Sequence, residues 1–490
     1  MRGSGVLLHI SSLPNPYGIG TLGKEAYEFI DFLKESGQKY WQVLPIGPTS
    51  YGDSPYQTFS AFAGNPYFVD FDKLELEGLL KKEEYQNLKS FDDYKVDYAY
   101  QYQNRFKILK LAYERFSIEA NPKEFVDFQK ANSFWLEDYS LFMAIKDSMP
   151  EGGWNTWTEK YKIRDTQALT DFAKYNQNVV EFWKFVQFKF FQQWDDLKKY
   201  ANEHGIMIIG DMPIYVAYDS SDVWSMPKYW QLDSKLNPAA VAGVPPDNFA
   251  LTGQLWGNPL YNYDLMEKDG YWWWIKRIEE SLKLFDIVRI DHFRGFEAYY
   301  SIPFTDKTAE FGTWIKGPGY KLFAKVKEVL GDVNIIAEDL GFLTLEVYDL
   351  LAQCEFPGMK ILQFGFNIHG DSEYAPHNYT KNSVVYPGTH DNSTLKGWLR
   401  SLKEDEYNYV KEYLQINHDD EAIEKAIKEC LKSVCDTAII PMQDYLELGD
   451  EARFNIPSTL GGNWVWRMRK DDLTVSLAEK IKKWAKIYRR

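Results

Sequence analysis

Eight short apolar runs, most of them joined through helical stretches, constrain this chain more than any other feature. They are "GVLLHISSLP" at 5–14, "KYWQVLPIGP" at 39–48, "GIMIIGDMPIYV" at 205–216 and "DIVRIDHF" at 286–293. "VNIIAEDLG" at 333–341, "MKILQFGF" at 359–366, "SVVYPGTHDN" at 383–392 and "TAIIPMQDYL" at 437–446 follow. Helical patterns lie at Glu25 to Lys34, Trp272 to Leu284, Tyr320 to Leu330 and Leu473 to Arg490. Continuous apolar stretches such as "NIIA" and "TAII" suit parallel strands buried on both faces. Eight such strands linked by helices predict an α/β fold, a (β/α)8 TIM barrel that uses 1–490 as a single catalytic body.

The spacing between runs predicts where the barrel is interrupted. A long, aromatic, mostly helical insertion of about 51–202 follows the second run. A second insertion, about 217–285, follows the third and contains a Pro/Gly/Asn-rich loop at 245–257. Little chain remains after the eighth run and its helix, so no C-terminal β-domain is expected.

Composition narrows the partners. The net charge of -15 disfavours nucleic acid and anionic membrane surfaces, which both draw affinity from Lys and Arg. No stretch approaches the length of a membrane span. Cys354, Cys430 and Cys435 have no metal-ligand spacing, which predicts a reduced, cytoplasmic chain with no metal and no cofactor.

Charge at the ends of apolar runs is the functional signal. In a barrel, the C-terminal ends of the strands carry the site. Asp211, Asp291, Glu338 and Asp391 fall at corresponding positions on the third, fourth, fifth and seventh runs. Strand alternation points Arg289 the same way as Asp291, where a guanidinium keeps an aspartate ionised and oriented. An ionised aspartate is what a glycosidic nucleophile requires. Glu338, its pKa raised by nearby carboxylates, is a candidate general acid/base, and Asp391 is suited to gripping sugar hydroxyls.

The motifs "GDMPIYV", "VRIDHFRG", "IAEDLG" and "GTHDN" resemble the strand ends of the α-amylase superfamily. Over nearly its whole length the sequence resembles the amylomaltase family, the 4-α-glucanotransferases. The stretches that carry this are "GVLLHISSLP" at 5–14, "GDSPYQTFSAFAGNPY" at 52–67, "PPDNFALTGQLWGNP" at 245–259 and "ARFNIPSTLGGNWVWR" at 452–467. The resemblance implies Asp291 as nucleophile, Glu338 as acid/base, Asp391 as the residue that holds and distorts the sugar, and Arg289 as support for Asp291. It also implies that Asp211, His292 and His390 bind hydroxyls of the same sugar. It implies donors and acceptors that are α-1,4-glucans, with glucose as an acceptor, and a retaining disproportionation. An amylase-type hydrolase and a non-catalytic carbohydrate-binding barrel are the alternatives.

Aromatic residues complete the expectation, since sugar rings offer apolar C–H faces. Trp256, with Phe249 and Leu255, forms an expected acceptor platform in the 245–257 loop; Tyr56 and Trp464 sit in similar loops. The aromatics of 134–194 read as packing. Asp286 and Asp339 read as structural charges, and Asp70 and Asp72 as solvated ones.

Overall fold

The computed structural model describes residues 2–50, 52–88, 92–118, 122–246, 250–341, 343–459 and 461–490. Twelve strands occur among them: β1 (Gly3–Leu7), β2 (Tyr40–Gln42), β3 (Met207–Met212), β4 (Ala240–Val244), β5 (Gln254–Pro259), β6 (Ile287–Ile290), β7 (Ala298–Pro303), β8 (Thr313–Lys316), β9 (Ile335–Ala337), β10 (Gly358–Ile361), β11 (Ser383–Tyr386) and β12 (Thr437–Pro441). Eight of these form one parallel sheet in the order β10-β11-β12-β1-β2-β3-β6-β9. The ends of that sheet approach each other where the Ala337 N–H donates to the Pro357 carbonyl at 3.0 Å. This is the expected (β/α)8 barrel, nearly closed, and no strand follows β12 among the described residues.

The strands are short because each apolar run gives way to polar loop at its C-terminal end. Ile335, Ile336 and Ala337 are all buried, as a strand covered on both faces requires. Around the barrel, helices turn one apolar stripe inward. In the helix Lys24–Glu35 that stripe is Ala26, Phe29, Ile30 and Leu33.

The chain between β2 and β3 is mostly helical and ends in the 27-residue helix Gln177–Glu203. Its buried rings pack as a ladder: Phe116 lies 4.8 Å from Phe185, and Phe125 lies 5.3 Å from Phe188, between ring centroids. The helix is tied back to the barrel side, where the Trp194 indole N–H donates to the Leu284 carbonyl.

The structure adds an element that the sequence pattern does not announce. Strands β4, β5, β7 and β8 form a separate antiparallel sheet in the order β5-β4-β7-β8. Part of the 245–257 loop is therefore strand, and this changes the aromatic platform. Leu255 and Trp256 are neighbours on β5, so their side chains point to opposite faces. Leu255 pairs with Gly243 and shares the face of Tyr300, away from Trp256. Phe249 lies outside the described residues.

One acidic reading also changes, and a second, half-exposed charge gains partners. Asp70 is buried, caps the helix Phe71–Leu76 through the Lys73 N–H, and accepts from Thr21. Asp72 accepts from the hydroxyls of Tyr17 and Tyr85 and pairs with Lys82. A carboxylate at a helix start is held by main-chain donors, which a reading of charge alone does not register. Asp286 and Asp339 brace neighbouring strands, accepting from the N–H groups of Ile208 and Met359.

Candidate active site

The site grows from the register of β3 against β6, which sets Asp211 beside Arg289. Arg289 is buried in the barrel mouth. Its Nη1 lies 2.7 Å from both carboxylate oxygens of Asp211 and 3.2 Å from Asp291 Oδ1. Its Nη2 lies 4.0 Å from Glu338 Oε2. One guanidinium thus faces carboxylates from the ends of three adjacent strands. Burial works against its charge, but Asp211, Asp291, Tyr56 and Glu338 together hold it firmly protonated.

Asp291 and Glu338 are joined by backbone. The residue after Asp291, His292, takes a left-handed conformation at φ 48°, an arrangement uncommon outside glycine. That turn aims the His292 N–H at Glu338 Oε2, 2.5 Å away, while the Leu340 N–H reaches Oε1 at 3.1 Å. The main chains of the two segments also bond, Phe293 N–H to the Glu338 carbonyl at 3.0 Å. Burial pushes both carboxyls up, and Arg289 opposes that in each.

Asp391 follows β11 and stands in a different environment. Burial would raise its carboxyl, but the charge and hydrogen bond of His390, together with the Asn455 amide, hold it at about 2. Asn455 Nδ2 donates to Asp391 Oδ1 at 2.6 Å, and His390 Nε2 lies 3.4 Å from Oδ2. Burial acts to lower His390, and Asp391 outweighs it, so the imidazole is raised.

Rings line this half of the site. Tyr56 stacks on His390 with centroids 5.0 Å apart, and Trp464 lies 5.7 Å from Tyr56 and 5.9 Å from His390. Across from them, Trp256 meets His292 edge-on at 4.9 Å. Burial and Arg294 lower His292 to about 4, which leaves it neutral, and its buried Nε2 has no hydrogen-bond partner.

The structure brings all ten candidate residues to the barrel mouth in two connected groups. Tyr56 links them, donating its hydroxyl to Asp211 Oδ2 at 2.8 Å while stacking on His390. Asp211 differs from expectation. Its side chain is fully buried and engaged by Arg289 and Tyr56, which leaves it holding Arg289 rather than facing a sugar. Asn455 and Arg453 join the site from outside the set of strand-end charges and rings. Both lie in the 452–467 stretch that carries the resemblance, yet neither is a carboxylate, an imidazole or a ring, so charge at a strand end gave no signal for them.

Fold and site together define a (β/α)8-barrel protein with a guanidinium-braced carboxylate cluster at its C-terminal mouth, flanked by aromatic rings. Residues 8–474 match the model of the family described as 4-alpha-glucanotransferase. The chain is 49% identical over 487 residues to the 4-alpha-glucanotransferase of Clostridium butyricum, covering 99% of this chain and 100% of that relative. It is 47% identical over 483 residues to that of Thermus thermophilus, covering 96% of each. A solved amylomaltase from Streptococcus agalactiae in complex with acarbose superposes with a TM-score of 0.98 at 45% identity, covering 100% of both chains. The chain belongs to the 4-alpha-glucanotransferase family, and its activity is that of a hexosyl-transferring 4-α-glucanotransferase.

Proposed function

We propose that the chain disproportionates linear α-1,4-glucans by a retaining double displacement. Asp291 attacks the anomeric carbon of the donor glucan, and a bond from Asp291 Oδ to that carbon forms as the glycosidic bond breaks. Glu338 gives its proton to the leaving 4-oxygen. In the second half, Glu338 takes the proton of the acceptor's 4-hydroxyl, whose oxygen displaces Asp291. Acceptors are other maltooligosaccharides or glucose.

The observation that carries this reading is the pair of buried carboxyls, Asp291 and Glu338, held beside one guanidinium and joined by the His292 N–H. Arg289 lies 3.2 Å from Asp291 and 4.0 Å from Glu338. Burial lets the pair keep a proton, and the nearer guanidinium favours the ionised form of Asp291. Burial lifts Asp291 to about 7 and raises Glu338 against the His292 and Leu340 N–H groups, so the pair holds a proton near neutral pH, and a retaining transfer uses that proton on Glu338 while Asp291 attacks. Asp391 then grips the sugar at the cleavage point, with His292 and His390 on neighbouring hydroxyls. Tyr56, Trp464 and Trp256 supply ring faces, and Asp211 fixes Arg289.

The insertions at 51–202 and 217–285 belong to this one catalytic body. Support comes from Tyr56, whose hydroxyl bonds Asp211 on β3, and from Asn258, which bonds the Val216 carbonyl. Three free cysteines fit a reducing cytoplasm. Among the described residues, no helix is long and apolar enough to cross a membrane.

Maltotriose alone tests the reading. Glucose with a ladder of longer oligomers is the expected result. Glucose and maltose without longer products favour the hydrolase. No turnover, with a longer glucan also inert, favours a binding protein.

A further inference from the structure

Asp391 is held from a second loop, and the contacts converge on Arg453. The segment after β12 returns across the mouth and meets the segment after β11 at successive points. Asp444 Oδ1 accepts from the Leu395 N–H at 2.7 Å, and Asp450 Oδ1 accepts from the Thr394 N–H at 3.0 Å. Gly397 packs so tightly on the Asp450 carboxylate that a Cβ there would lie 2.1 Å from its oxygen. The Asn455 N–H donates to the His390 carbonyl at 3.2 Å.

Arg453 joins the two segments at the point that matters most. Its Nη2 donates to the main-chain carbonyl of Asp391, and its Nη1 donates to Ser393 Oγ at 3.2 Å. Its Nε donates to the carbonyl of Asn455 at 2.7 Å. Asn455 is in turn the residue whose amide holds the Asp391 carboxylate. A single planar fork thus fixes the backbone of Asp391 and the backbone of the residue that aims its side chain. Lysine, a point charge on a flexible stem, cannot span those three acceptors in fixed directions.

We infer that Arg453 is a positioning residue for the transfer reaction, acting through Asp391 by locking the Asn455–Asp391 contact. This rests on the reading that Asp391 grips the sugar at the cleavage point. The expected consequence is kinetic. Misplacing a group that tightens on the transition state lowers kcat and kcat/KM together and leaves KM nearly unchanged.

The test is a double-mutant cycle on the full chain with maltotriose and with an α-glucosyl fluoride donor. Asp391→Asn alone tests the reading of Asp391: wild-type turnover there removes the basis for a role of Arg453. Arg453→Ala is expected to lower kcat roughly 10- to 100-fold with KM within about threefold. The double variant is expected to match Asp391→Asn within about twofold, because both changes remove one interaction. Losses that multiply in the double variant overturn the inference, as does a rise in KM at constant kcat. Arg453→Lys keeps the charge and is expected to share most of the loss; full activity in that variant also overturns it. Should Arg453→Ala not fold, Arg453→Lys carries the same cycle.

Discussion

The main-chain N–H of His292, the residue next to Asp291, donates to the Glu338 carboxyl at 2.5 Å. The left-handed turn at His292 makes this bond possible, so the distance between the two carboxyl groups is set by backbone and not by side-chain rotamers alone. Pre-organisation of this kind lets one proton be exchanged between fixed positions.

That contact shapes the first prediction. Glu338 accepts main-chain N–H groups on both oxygens, from His292 and Leu340. Glu338→Gln replaces one acceptor with a donor, so a modest loss of stability, about 1–3 kcal/mol, accompanies the loss of the acid. Turnover of maltotriose is expected to fall by roughly 10²–10⁴. A donor with a fluoride leaving group needs little protonation, so its first step is expected to survive and leave a glycosyl-enzyme detectable by intact mass. Equal loss on both donors with no trapped species would contradict the role of Glu338.

Asp291→Asn separates chemistry from folding. Arg289 keeps its 2.7 Å contacts to Asp211 in this variant, so no buried guanidinium is left unpaired. The melting temperature is expected to stay close to wild type while the covalent intermediate disappears with either donor. Near-wild-type turnover in the purified variant would remove Asp291 from the nucleophile's place.

The barrel and its carboxylates were legible because both rest on contrast along the chain. Apolar runs such as Ile335–Ala337 end abruptly in Glu338, and that change of character marks the strand end without knowledge of the tertiary structure. Other features depend on partners far away in sequence. Strands β4 and β5 are interrupted by Gly243 and Gly257, β7 by Ser301, and β8 is exposed along its whole length, so no continuous apolar run announces them. Arg453 and Asn455 matter through contacts to residues about 60 positions earlier, which spacing does not encode. The sequence places Asp211 on its strand, but which of two duties it serves depends on the β3–β6 register.

Asp444 gives a pH prediction with a definite sign. It is fully buried, and burial first, then Asp450, lifts its carboxyl from 3.8 to about 7 against the lowering effect of the Leu395 N–H. A folded-state pKa above the unfolded one favours the protonated form in the native protein. Its stabilising contribution is therefore complete below the unfolded pKa, and is lost as pH rises toward 7. Asp444→Asn keeps an oxygen for the Leu395 N–H and cannot ionise. The variant is expected to gain stability relative to wild type as pH rises, by roughly 2–3 kcal/mol between pH 5 and pH 8. Thermal melts at both values check this, and a difference that shrinks with pH would contradict it.

Trp256 addresses why a sugar hydroxyl should win over water. Once the donor is attached to Asp291, either nucleophile can use Glu338 as its base, and water is the smaller and more abundant one. Transfer needs a surface that binds the acceptor beside the intermediate. Trp256 is placed for this, half-buried on β5, edge-on to His292 at 4.9 Å, with its indole N–H anchored to Gln254 Oε1 at 3.1 Å. The anchor fixes the ring before an acceptor arrives, so less freedom is lost on stacking. Leu255 points to the opposite face, so the platform on this strand is Trp256 itself. Trp256→Ala is expected to reduce transfer roughly 3- to 10-fold more than hydrolysis, as the loss of one aromatic stacking contact implies. Counting free reducing ends and elongated oligomers in one maltotriose reaction gives both rates. If Trp256 only braces β5, the two rates fall together and the hydrolysis-to-transfer ratio stays at the wild-type value; a raised ratio in a folded variant identifies the ring as the acceptor's platform.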